Sequence, residues 1–300
     1  MSSLEDLFSS WAQGPGITEA EKCENAERAI KKAVAADSNL SSLDITVFAQ
    51  GSYKARINVK RDSDVDVCVR YNGAFFDHYP EGKTRDDFGN VASSIGYGDF
   101  KDMVGKALTS YLGGLGVTRG NKAFDVHENT YRIDADVVPT FEHRRYTGRH
   151  SLDGTAEYLS GVAFLPDKGA MIINWPDQNY ENGVLRNDET GRIYKRVIRI
   201  LKRLRNAMQE DKIAGAENIA SFLIESLVWN APLEAFKHET YTEDVRYVIA
   251  NVFNHTRMDN ACSEWGEVNE LKYLFRPSQP WTREQANRFL DSAWNYIGFK

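Results

Sequence analysis

The chain has 300 residues, of which 42% are hydrophobic, with a formal net charge of −6 and a mean hydropathy of −0.51. This length is enough for one large domain or two modest ones with a substantial core. The composition excludes a disordered or low-complexity chain, and the acidic balance excludes a protein that coats nucleic acid through a strongly basic surface.

The cysteines and the apolar segments indicate the compartment. Cys23, Cys68 and Cys262 are far apart and form neither a disulfide framework nor a zinc-ligand pattern. The N-terminal segment lacks the basic and apolar regions of a secretory signal. No apolar run approaches the roughly 20 residues that span a bilayer. We therefore expect a cytoplasmic protein in a reducing environment, with no membrane partner.

Helical patterns begin the chain. A weak helical period covers Leu4–Trp11. Thr18 followed by Glu21 resembles a capping box and predicts a helix that reaches about Ala36. The candidates for its buried face are Ala26, Ile30 and Val34.

A glycine–serine turn and an acidic strand come next. Asp44–Gln50 is a strand candidate, and Gly51-Ser52 ends it and begins a short helix or turn. The following strand carries Asp64 and Asp66, which point to one face because side chains alternate along a strand. The residues predicted to point into the core are Val65, Val67 and Val69.

The middle of the chain predicts shorter elements. Asn72–Tyr97, rich in glycine, aspartate and aromatic residues, is interpreted as an irregular insertion. A helix is predicted over Asp99–Leu115, where glycines stop it. Two strands are predicted near Ala123–His127 and Thr130–Pro139, and a hairpin-like segment near Gly161–Asn174.

From Thr190 onward the hydrophobic period becomes helical. The predicted apolar face consists of Ile193, Val197, Ile200 and Leu204, and the predicted opposite face carries Lys195, Arg199 and Lys202. Further helices are predicted near Asn218–Asn230, Tyr241–Asn254 and Thr282–Tyr296. The front half is α/β and the back half is helical, which predicts domains at 1–180 and 181–300.

The acidic pair has two interpretations. Asp64 and Asp66 lie on one strand face, where their negative charges repel each other. Either the strand is a solvated edge with its charges in water, or a bound divalent cation neutralises the repulsion. A second acidic strand begins about 70 residues downstream and carries Asp134 and Asp136 on one face. Three carboxylates from two adjacent strands can hold two Mg²⁺ or Mn²⁺ ions, which would align the attacking and leaving oxygens of a phosphoryl transfer. The spacing does not decide whether Asp134 or Asp136 is the third carboxylate of this site.

Other candidate residues also allow an ordinary structural interpretation. Gly51-Ser52 fits a strand-to-helix turn with a serine cap, or a close backbone approach to a triphosphate. Lys195 and Lys202 belong to a solvated helix face or contact nucleotide phosphates as point charges. Asn174 is a turn residue, or its amide binds the edge of a nucleotide base such as uracil.

Taken together, these motifs resemble those of a known superfamily. The ordered set GSY, DSDVDV, ADVVP, INWPDQNYENG, YKRVIRILKRLRN and SFLIESLVWN covers nearly the whole chain. It resembles the polymerase-beta-like nucleotidyltransferases, specifically the bacterial cGAS/DncV-like group of the CdnE type. This resemblance implies an α+β fold: a nucleotidyltransferase core with a mixed β-sheet, plus a C-terminal helical lobe like that of oligoadenylate synthases. It also implies an N-terminal helix that packs across both lobes.

The resemblance also implies roles for individual residues. Gly51 and Ser52 would cradle phosphates, Asp64 and Asp66 would bind both metal ions, and Asp136 would complete the site and help to activate a ribose hydroxyl. The residues implied to contact the donor triphosphate are Lys195, Lys202 and Ser221, and the residue implied to select uracil is Asn174.

The implied activity is synthesis of a uracil-containing cyclic dinucleotide, such as cyclic UMP–AMP or cyclic di-UMP, from UTP and ATP. The implied context is bacterial anti-phage (CBASS) signalling with a downstream effector protein. No Cys/His insertion resembles the zinc element by which animal cGAS engages DNA, so a DNA ligand is not implied. The alternatives are a nucleotidyltransferase that modifies a protein, RNA or small molecule, a synthase of linear or purine products, and an inactive nucleotide-binding scaffold.

Overall fold

The computed structural model describes residues 3–59 and 64–300. The chain separates into two units, as expected for a sequence whose first half alternates strands and helices and whose second half is helical. The sheet unit comprises Gly16–Lys54 and Ser63–Asp177. The helical unit comprises Met1–Pro15, Ala55–Asp62 and Gln178–Lys300. The motif residues Asp62 and Ser63 lie outside the described residues. No described helix is long and apolar enough to cross a membrane.

In the described residues, the sheet unit contains a mixed sheet of seven strands. They are β1 (Ile45–Ala49), β2 (Val65–His78), β3 (Val117–Arg119), β4 (Phe124–Val126), β5 (Ala135–His150), β6 (Ala156–Phe164) and β7 (Ile172–Asn174). The order is β1-β2-β5-β4-β3, with β6 next to β5 and β7 next to β6. β2 and β5 run parallel, and the other neighbouring strands run antiparallel. This mixed sheet confirms the predicted α+β core.

One face of the sheet is covered by helices. The valines of the acidic strand are fully buried, as their alternation predicted. They pack in one apolar core with α2 (Ile17–Ala36) and α4 (Tyr97–Leu112). Side chains that alternate with the valines therefore point to the opposite face of the sheet, where Asp66 and Asp136 lie.

The two central strands are longer than predicted. β2 continues to His78, into the beginning of the segment that we predicted to be an irregular insertion, and the rest of that segment up to Gly96, all of it described, contains no strand. The pairing of β2 with β5 shifts register between Tyr71 and Phe75. Gly73 allows this bulge, because a Cβ there would overlap the Tyr71 ring. β5 begins later than the predicted strand and continues to His150, and β3 was not predicted at all.

The predicted capping box is wrong, although the helix that it introduced is correct. α2 begins at Ile17 with Gly16 as its N-cap and no side-chain cap, so Thr18 lies inside the helix. Its predicted buried residues are buried, namely Ala26, Ile30 and Val34. The short helix after β1 is α3 (Gly51–Lys54).

The helical unit is built around the predicted amphipathic helix, α6. Its helices are α1 (Leu4–Trp11), α5 (Pro176–Glu189, which enters the unit at Gln178), α6 (Tyr194–Glu210), α7 (Ser221–Trp229), α8 (Tyr241–Thr256), α9 (Asp259–Cys262) and α10 (Arg283–Ile297). The short 3₁₀ turns of the two units are Arg85–Phe88, Gly114–Gly116, Ala214–Ala216 and Leu233–Phe236. The predicted apolar face of α6 lies in the core of the unit, with Ile193 at its edge. α5 was not predicted, because its sequence is polar and lacks a clear apolar stripe.

Two organisational predictions are not decided by this division. α1 packs in the core of the helical unit through Phe8 and Ala12, whereas α2 belongs to the sheet unit. The boundary near residue 180 and the N-terminal helix across both lobes stay predictions.

Candidate functional site

The glycine–serine turn lies directly against the acidic strand. The Gln50 amide donates to the Asp66 carbonyl oxygen at 2.8 Å, and α3 then begins at Gly51. Gly51 has a φ of +64°, which favours glycine, and a Cβ at this position would overlap Oδ2 of Asp66. Ser52 follows on α3 and is half-buried. The sheet unit therefore brings together the predicted phosphate cradle and one predicted metal ligand.

The carboxylates of the two acidic strands are neighbours. Asp66 and Asp136 are register partners on the parallel strands β2 and β5, which places their backbones about 4.8 Å apart. Both side chains are half-buried, whereas Asp64 is exposed immediately before β2. Sheet pairing thus places Asp66 and Asp136 side by side, a proximity that the sequence could only suggest.

Negative charge accumulates around Asp136. Burial raises the pKa of this carboxyl, and the nearby carboxylates of Asp64, Asp125 and Asp134 raise it further. Each of these effects disfavours the ionised form. A divalent cation would reverse this balance, since it is the largest local charge in such a site.

Asp134 has a local structural partner. Its Oδ1 accepts a hydrogen bond from the Glu128 amide at 2.6 Å, and β5 begins only at the next residue, Ala135. Asp134 therefore secures the turn that precedes β5. This geometry favours Asp136 as the third ligand and supports what the resemblance implied.

Asp125 was missed by the sequence reasoning. It lies on β4 in register with Asp136, so Asp66, Asp136 and Asp125 form a row across three adjacent strands. Its side chain is exposed. The signal was available in the predicted strand Ala123–His127, where Asp125 alternates with apolar residues. Nothing in the sequence alone indicated that this strand pairs with β5.

The donor set fits a hard divalent cation in its chemistry. Carboxylate oxygens are the ligands that Mg²⁺ prefers, and the accumulated negative charge is what such an ion would neutralise. In residues 3–59 and 64–300, no three His, Cys, Asp or Glu side chains are already grouped closely enough to hold a metal ion. Metal binding by Asp64, Asp66 and Asp136 therefore stays a prediction.

Asn174 ends β7 at a tightly packed point. Its backbone pairs with Val162, and the adjacent Gly161 has no room for a Cβ because the Asn174 carbonyl and the Trp175 ring fill that space. Trp175 is 3% exposed and packs edge-on against His143, as expected for an aromatic plug. The amide of Asn174 is half-buried and has no hydrogen-bond partner among the described residues. Binding of a base edge by this amide stays a prediction.

Lys202 is buried, which corrects the prediction that it shares a solvated face of α6 with Lys195 and Arg199. It is 1% exposed, and its Nζ donates to the Ile57 carbonyl oxygen at 3.3 Å. Periodicity placed it opposite the apolar stripe, but residues 55–59 cover that side of the helix.

Lys195 and Ser221 lie in the same unit. Lys195 is half-buried, and its Nζ lies 5.8 Å from the centre of the Tyr180 ring. Burial lowers its pKa, although the Glu225 carboxylate opposes that change. Ser221 is the first residue of α7, and its Oγ accepts a hydrogen bond from Arg205 at 3.1 Å.

Glu225 was also missed. This side chain is 8% exposed, and burial raises its pKa to about 7, although the charges of Lys202 and Lys195 act in the opposite direction. The signal was a single acidic residue inside the otherwise apolar segment SFLIESLVW. An acid buried near two predicted phosphate-binding lysines indicates an electrostatically organised region of the helical unit.

The predicted residues therefore fall into two groups. The sheet unit holds Gly51, Ser52, Asp64, Asp66, Asp136 and Asn174, and the helical unit holds Lys195, Lys202 and Ser221. Contacts within the sheet unit join Gly51 to Asp66, and strand pairing joins Asp66 to Asp136. The individual roles of all nine residues stay predictions.

Comparison with known proteins indicates the family. Residues 181–298 match the model of the cGAS/DncV-like nucleotidyltransferase C-terminal helical domain. The chain is 39% identical to the cyclic dipyrimidine nucleotide synthase CdnE of Cecembia lonarensis, over 98% of each protein. It is 41% identical to the synthase of that name from Legionella pneumophila, over 98% of this chain and 97% of the relative.

A solved structure of a CdnE synthase has the same fold as this chain. The Rhodothermus marinus CdnE cyclic UMP–AMP synthase, determined with Apcpp and Upnpp, superposes with a TM-score of 0.84 at 31% identity. The match covers 99% of this chain and 98% of that one. The predicted combination of a nucleotidyltransferase core and a helical lobe is confirmed by this similarity.

Proposed function

Because the chain belongs to the cGAS/DncV-like nucleotidyltransferases of the CdnE type, we propose that it joins two nucleoside triphosphates into a uracil-containing cyclic dinucleotide. The proposed substrates are UTP and ATP, and the proposed product is cyclic UMP–AMP or cyclic di-UMP. Three relatives support this choice by name: the cyclic dipyrimidine nucleotide synthases of Cecembia lonarensis and Legionella pneumophila, and the cyclic UMP–AMP synthase of Rhodothermus marinus. The observation that carries the proposal is the packing of Gly51 against the Asp66 carboxylate, beside Asp136.

The reaction consists of two equivalent transfers. In each, a ribose hydroxyl of one nucleotide attacks the α-phosphorus of the other, so that a new P–O bond forms and the bond to pyrophosphate breaks. The hydroxyl loses its proton, and pyrophosphate leaves. The second transfer closes the ring and releases the second pyrophosphate. Positioning and charge neutralisation dominate the catalysis of such steps.

The sheet unit supplies the proposed reacting centre. Asp64, Asp66 and Asp136 would hold Mg²⁺ or Mn²⁺ through carboxylate oxygens, and two such ions when bound would align the attacking and leaving oxygens. The negative charge around Asp136 suits it to receive the proton of the ribose hydroxyl as well as to bind a cation. The Gly51-Ser52 backbone, which approaches Asp66 closely, would hold the phosphates next to these carboxylates.

Binding of the rest of each nucleotide is proposed for the remaining residues. Lys195, Lys202 and Ser221 would contact the donor triphosphate, with the lysines acting as point charges. Asn174 would select uracil, because one amide supplies both a donor to the O4 atom and an acceptor for the N3–H group. Asn174 is only half-buried at the end of β7, and this position supports the role.

We place the activity in the bacterial cytoplasm, in anti-phage (CBASS) signalling, with an effector protein that binds the cyclic product. Membership of the cGAS/DncV-like family supports this setting. The test is binding of the purified product to candidate effectors, once its bases are known.

Incubation of the purified protein with labelled nucleoside triphosphates and Mg²⁺ or Mn²⁺ tests the activity. We expect a small product that resists phosphatase, and mass spectrometry of that product from mixed triphosphates gives its bases. Asp64→Ala combined with Asp66→Ala should abolish the product. The matched control is Asp86→Ala, which removes an exposed carboxylate from a 3₁₀ turn of the same unit.

Each other result would reject a stated part of the proposal. Label on a protein or RNA would indicate a modifying nucleotidyltransferase, and a phosphatase-sensitive product would indicate a linear oligonucleotide. A cyclic product made only of purines would contradict the proposed uracil selection. Turnover that survives loss of Asp64 and Asp66 would contradict the mechanism.

A further inference from the structure

The segment that follows the predicted phosphate cradle belongs to the helical unit, and its last three residues are buried there. We call residues 55–59 the linker, because in the sequence they follow α3 and lead towards Asp64. Ile57, Asn58 and Val59 are 1%, 4% and 0% exposed, and Ile57 belongs to the apolar core around α6. Arg56 has a φ of +56°, which is uncommon for a residue with a side chain. Contacts with its surroundings must therefore hold this conformation.

One face of α6 holds the linker backbone. Nη1 of Arg199 donates to the Arg56 carbonyl oxygen at 2.7 Å, and Nζ of Lys202 donates to the Ile57 carbonyl oxygen at 3.3 Å. Residues three apart on a helix lie on one face, so neighbouring side chains bind two consecutive carbonyls. The bond to Ile57 is buried, and buried carbonyl groups outside helices and sheets need such partners.

Arg199 also reaches a third element. Its Nε donates to the carbonyl oxygen of Ala12, the C-cap residue of α1, at 2.6 Å. The guanidinium is planar with its donors in a fixed fork, so one side chain sets the linker relative to both α1 and α6. Burial lowers the pKa of Arg199 to about 10, helped by Arg196 and Arg203, yet the group stays charged at neutral pH. Arg199 is half-buried, and its bonds to two carbonyl oxygens from different elements restrict the positions of the guanidinium.

We propose that Arg199 is a positioning residue for nucleotidyl transfer, which fixes the linker whose neighbours in sequence are the Gly51-Ser52 turn and Asp64. This inference rests on the proposed function, since it requires that the turn and the carboxylate act together. Lys202 also contacts the linker, but we have proposed that it binds the triphosphate as well. A change at Arg199 therefore tests the linker contact without removing a proposed phosphate ligand. Misplacement of reacting groups by about 1 Å can cost about 100-fold in rate.

The test compares Arg199→Gln and Arg199→Lys with Arg196→Gln. Arg196 lies one turn earlier on α6, and its Nη1 donates to the Tyr241 hydroxyl at 2.8 Å, so the control loses a comparable hydrogen bond elsewhere. The measurements are kcat and KM for the triphosphates, the melting temperature, and hydrogen exchange of residues 55–59.

We expect Arg199→Gln to lower kcat about 10- to 100-fold with KM within about twofold, because positioning rather than binding is lost. Exchange of residues 55–59 should become faster in this variant. Arg199→Lys should restore part of kcat, since an ammonium can still reach one carbonyl. Arg196→Gln should keep kcat within about twofold of the unchanged protein.

An unchanged kcat in Arg199→Gln, or an equal loss in Arg196→Gln, would overturn the proposal. If Arg199→Gln does not fold, Arg199→Lys decides: a reduced kcat at an unchanged melting temperature supports the proposal, and an unchanged kcat overturns it. If the unchanged protein makes no cyclic product, the proposed function fails, and hydrogen exchange then decides on the linker alone. Faster exchange at 55–59 in Arg199→Gln but not in Arg196→Gln would support the contact, and equal exchange would reject it.

Discussion

Gly51 has two independent reasons to be glycine. Its positive φ is unfavourable for residues with a side chain, and a Cβ would overlap the Asp66 carboxylate. The first reason is common to many turns, whereas the second belongs to this site. At the scale of one residue, the absence of a side chain lets the predicted phosphate-binding turn touch the strand that carries the predicted metal ligand Asp66.

Gly51→Ala should therefore displace the Asp66 carboxylate as well as strain the backbone. We expect loss of at least about tenfold in cyclic dinucleotide synthesis, and a stability loss of about 1–2 kcal/mol from the backbone alone. Gly89→Ala is the matched control, because Gly89 has the same φ of +64° and nothing within 4 Å of its added Cβ. Equal activity in the two variants would contradict a role for this close approach.

Asn174 is the residue on which base choice is proposed to depend. Asn174→Ser removes the paired donor and acceptor, so we expect use of UTP to fall relative to ATP and GTP. Competition between triphosphates, read by mass spectrometry of the product, measures this preference. Asn254→Ser, on the exposed side of α8, is the control. An unchanged base preference would remove Asn174 from the mechanism.

At the scale of elements, the start of β5 decides which acidic residue faces the site. β5 pairs with β4 at its beginning and with β6 from Phe141 onward, while its parallel partner β2 runs alongside. Because the strand begins at Ala135, Asp136 lies on the sheet next to Asp66. Asp134 remains in the turn, where it binds the Glu128 amide. A start two residues earlier would have placed both carboxylates on one strand face.

Metal-induced stabilisation tests this assignment without any turnover. An ion that binds only the folded state, at a free concentration of 100 times its Kd, stabilises that state by about 2.7 kcal/mol. This stabilisation raises the melting temperature. We expect Mg²⁺ or Mn²⁺ to raise the melting temperature of the unchanged protein and of Asp134→Asn, but not of Asp136→Asn. Asn keeps the oxygen that accepts from Glu128, so Asp134→Asn is a mild change. A shift that is lost in Asp134→Asn instead would identify Asp134 as the ligand.

At the scale of the whole molecule, each unit has its own core and its own ionisable groups below the surface. In the helical unit, Glu225 is buried near Lys195 and Lys202, and burial raises its pKa to about 7. The ordinary value for this group is 4.5. Folding therefore favours the protonated carboxyl, and the stability that protonation contributes is complete below pH 4.5 and lost as pH rises through about 7.

Glu225→Gln should flatten the pH dependence of stability. Between pH 5 and pH 8 we expect the free energy of unfolding of the unchanged protein to fall by roughly 2–3 kcal/mol relative to the variant. Denaturant midpoints at several pH values measure the difference. Glu234→Gln, at an exposed position of the same unit, should follow the curve of the unchanged protein. Parallel curves for Glu225→Gln would show that this group is not responsible.

Much of the element order was predictable because each pattern is local. Alternating valines predicted the buried face of β2, and the period of α6 predicted its apolar stripe. The predictions of secondary structure failed where the local sequence pattern did not match the structure that the segment adopts in the fold. α5 is a helix without an apolar stripe, and β2 runs on to His78, into the beginning of a segment rich in glycine and aromatic residues.

The sequence by itself determined the family, the α+β fold and which residue types could carry nucleotidyl transfer, since these depend on periodicity and on motifs that lie close together in the chain. Only the tertiary structure decided that Gly51 touches Asp66, that Asp136 rather than Asp134 lies beside it, and that Lys202 is buried against the linker. It also revealed Asp125, Arg199 and Glu225. The physical reason is that strand register, burial and charge environment arise from residues far apart in sequence, and no local pattern records them.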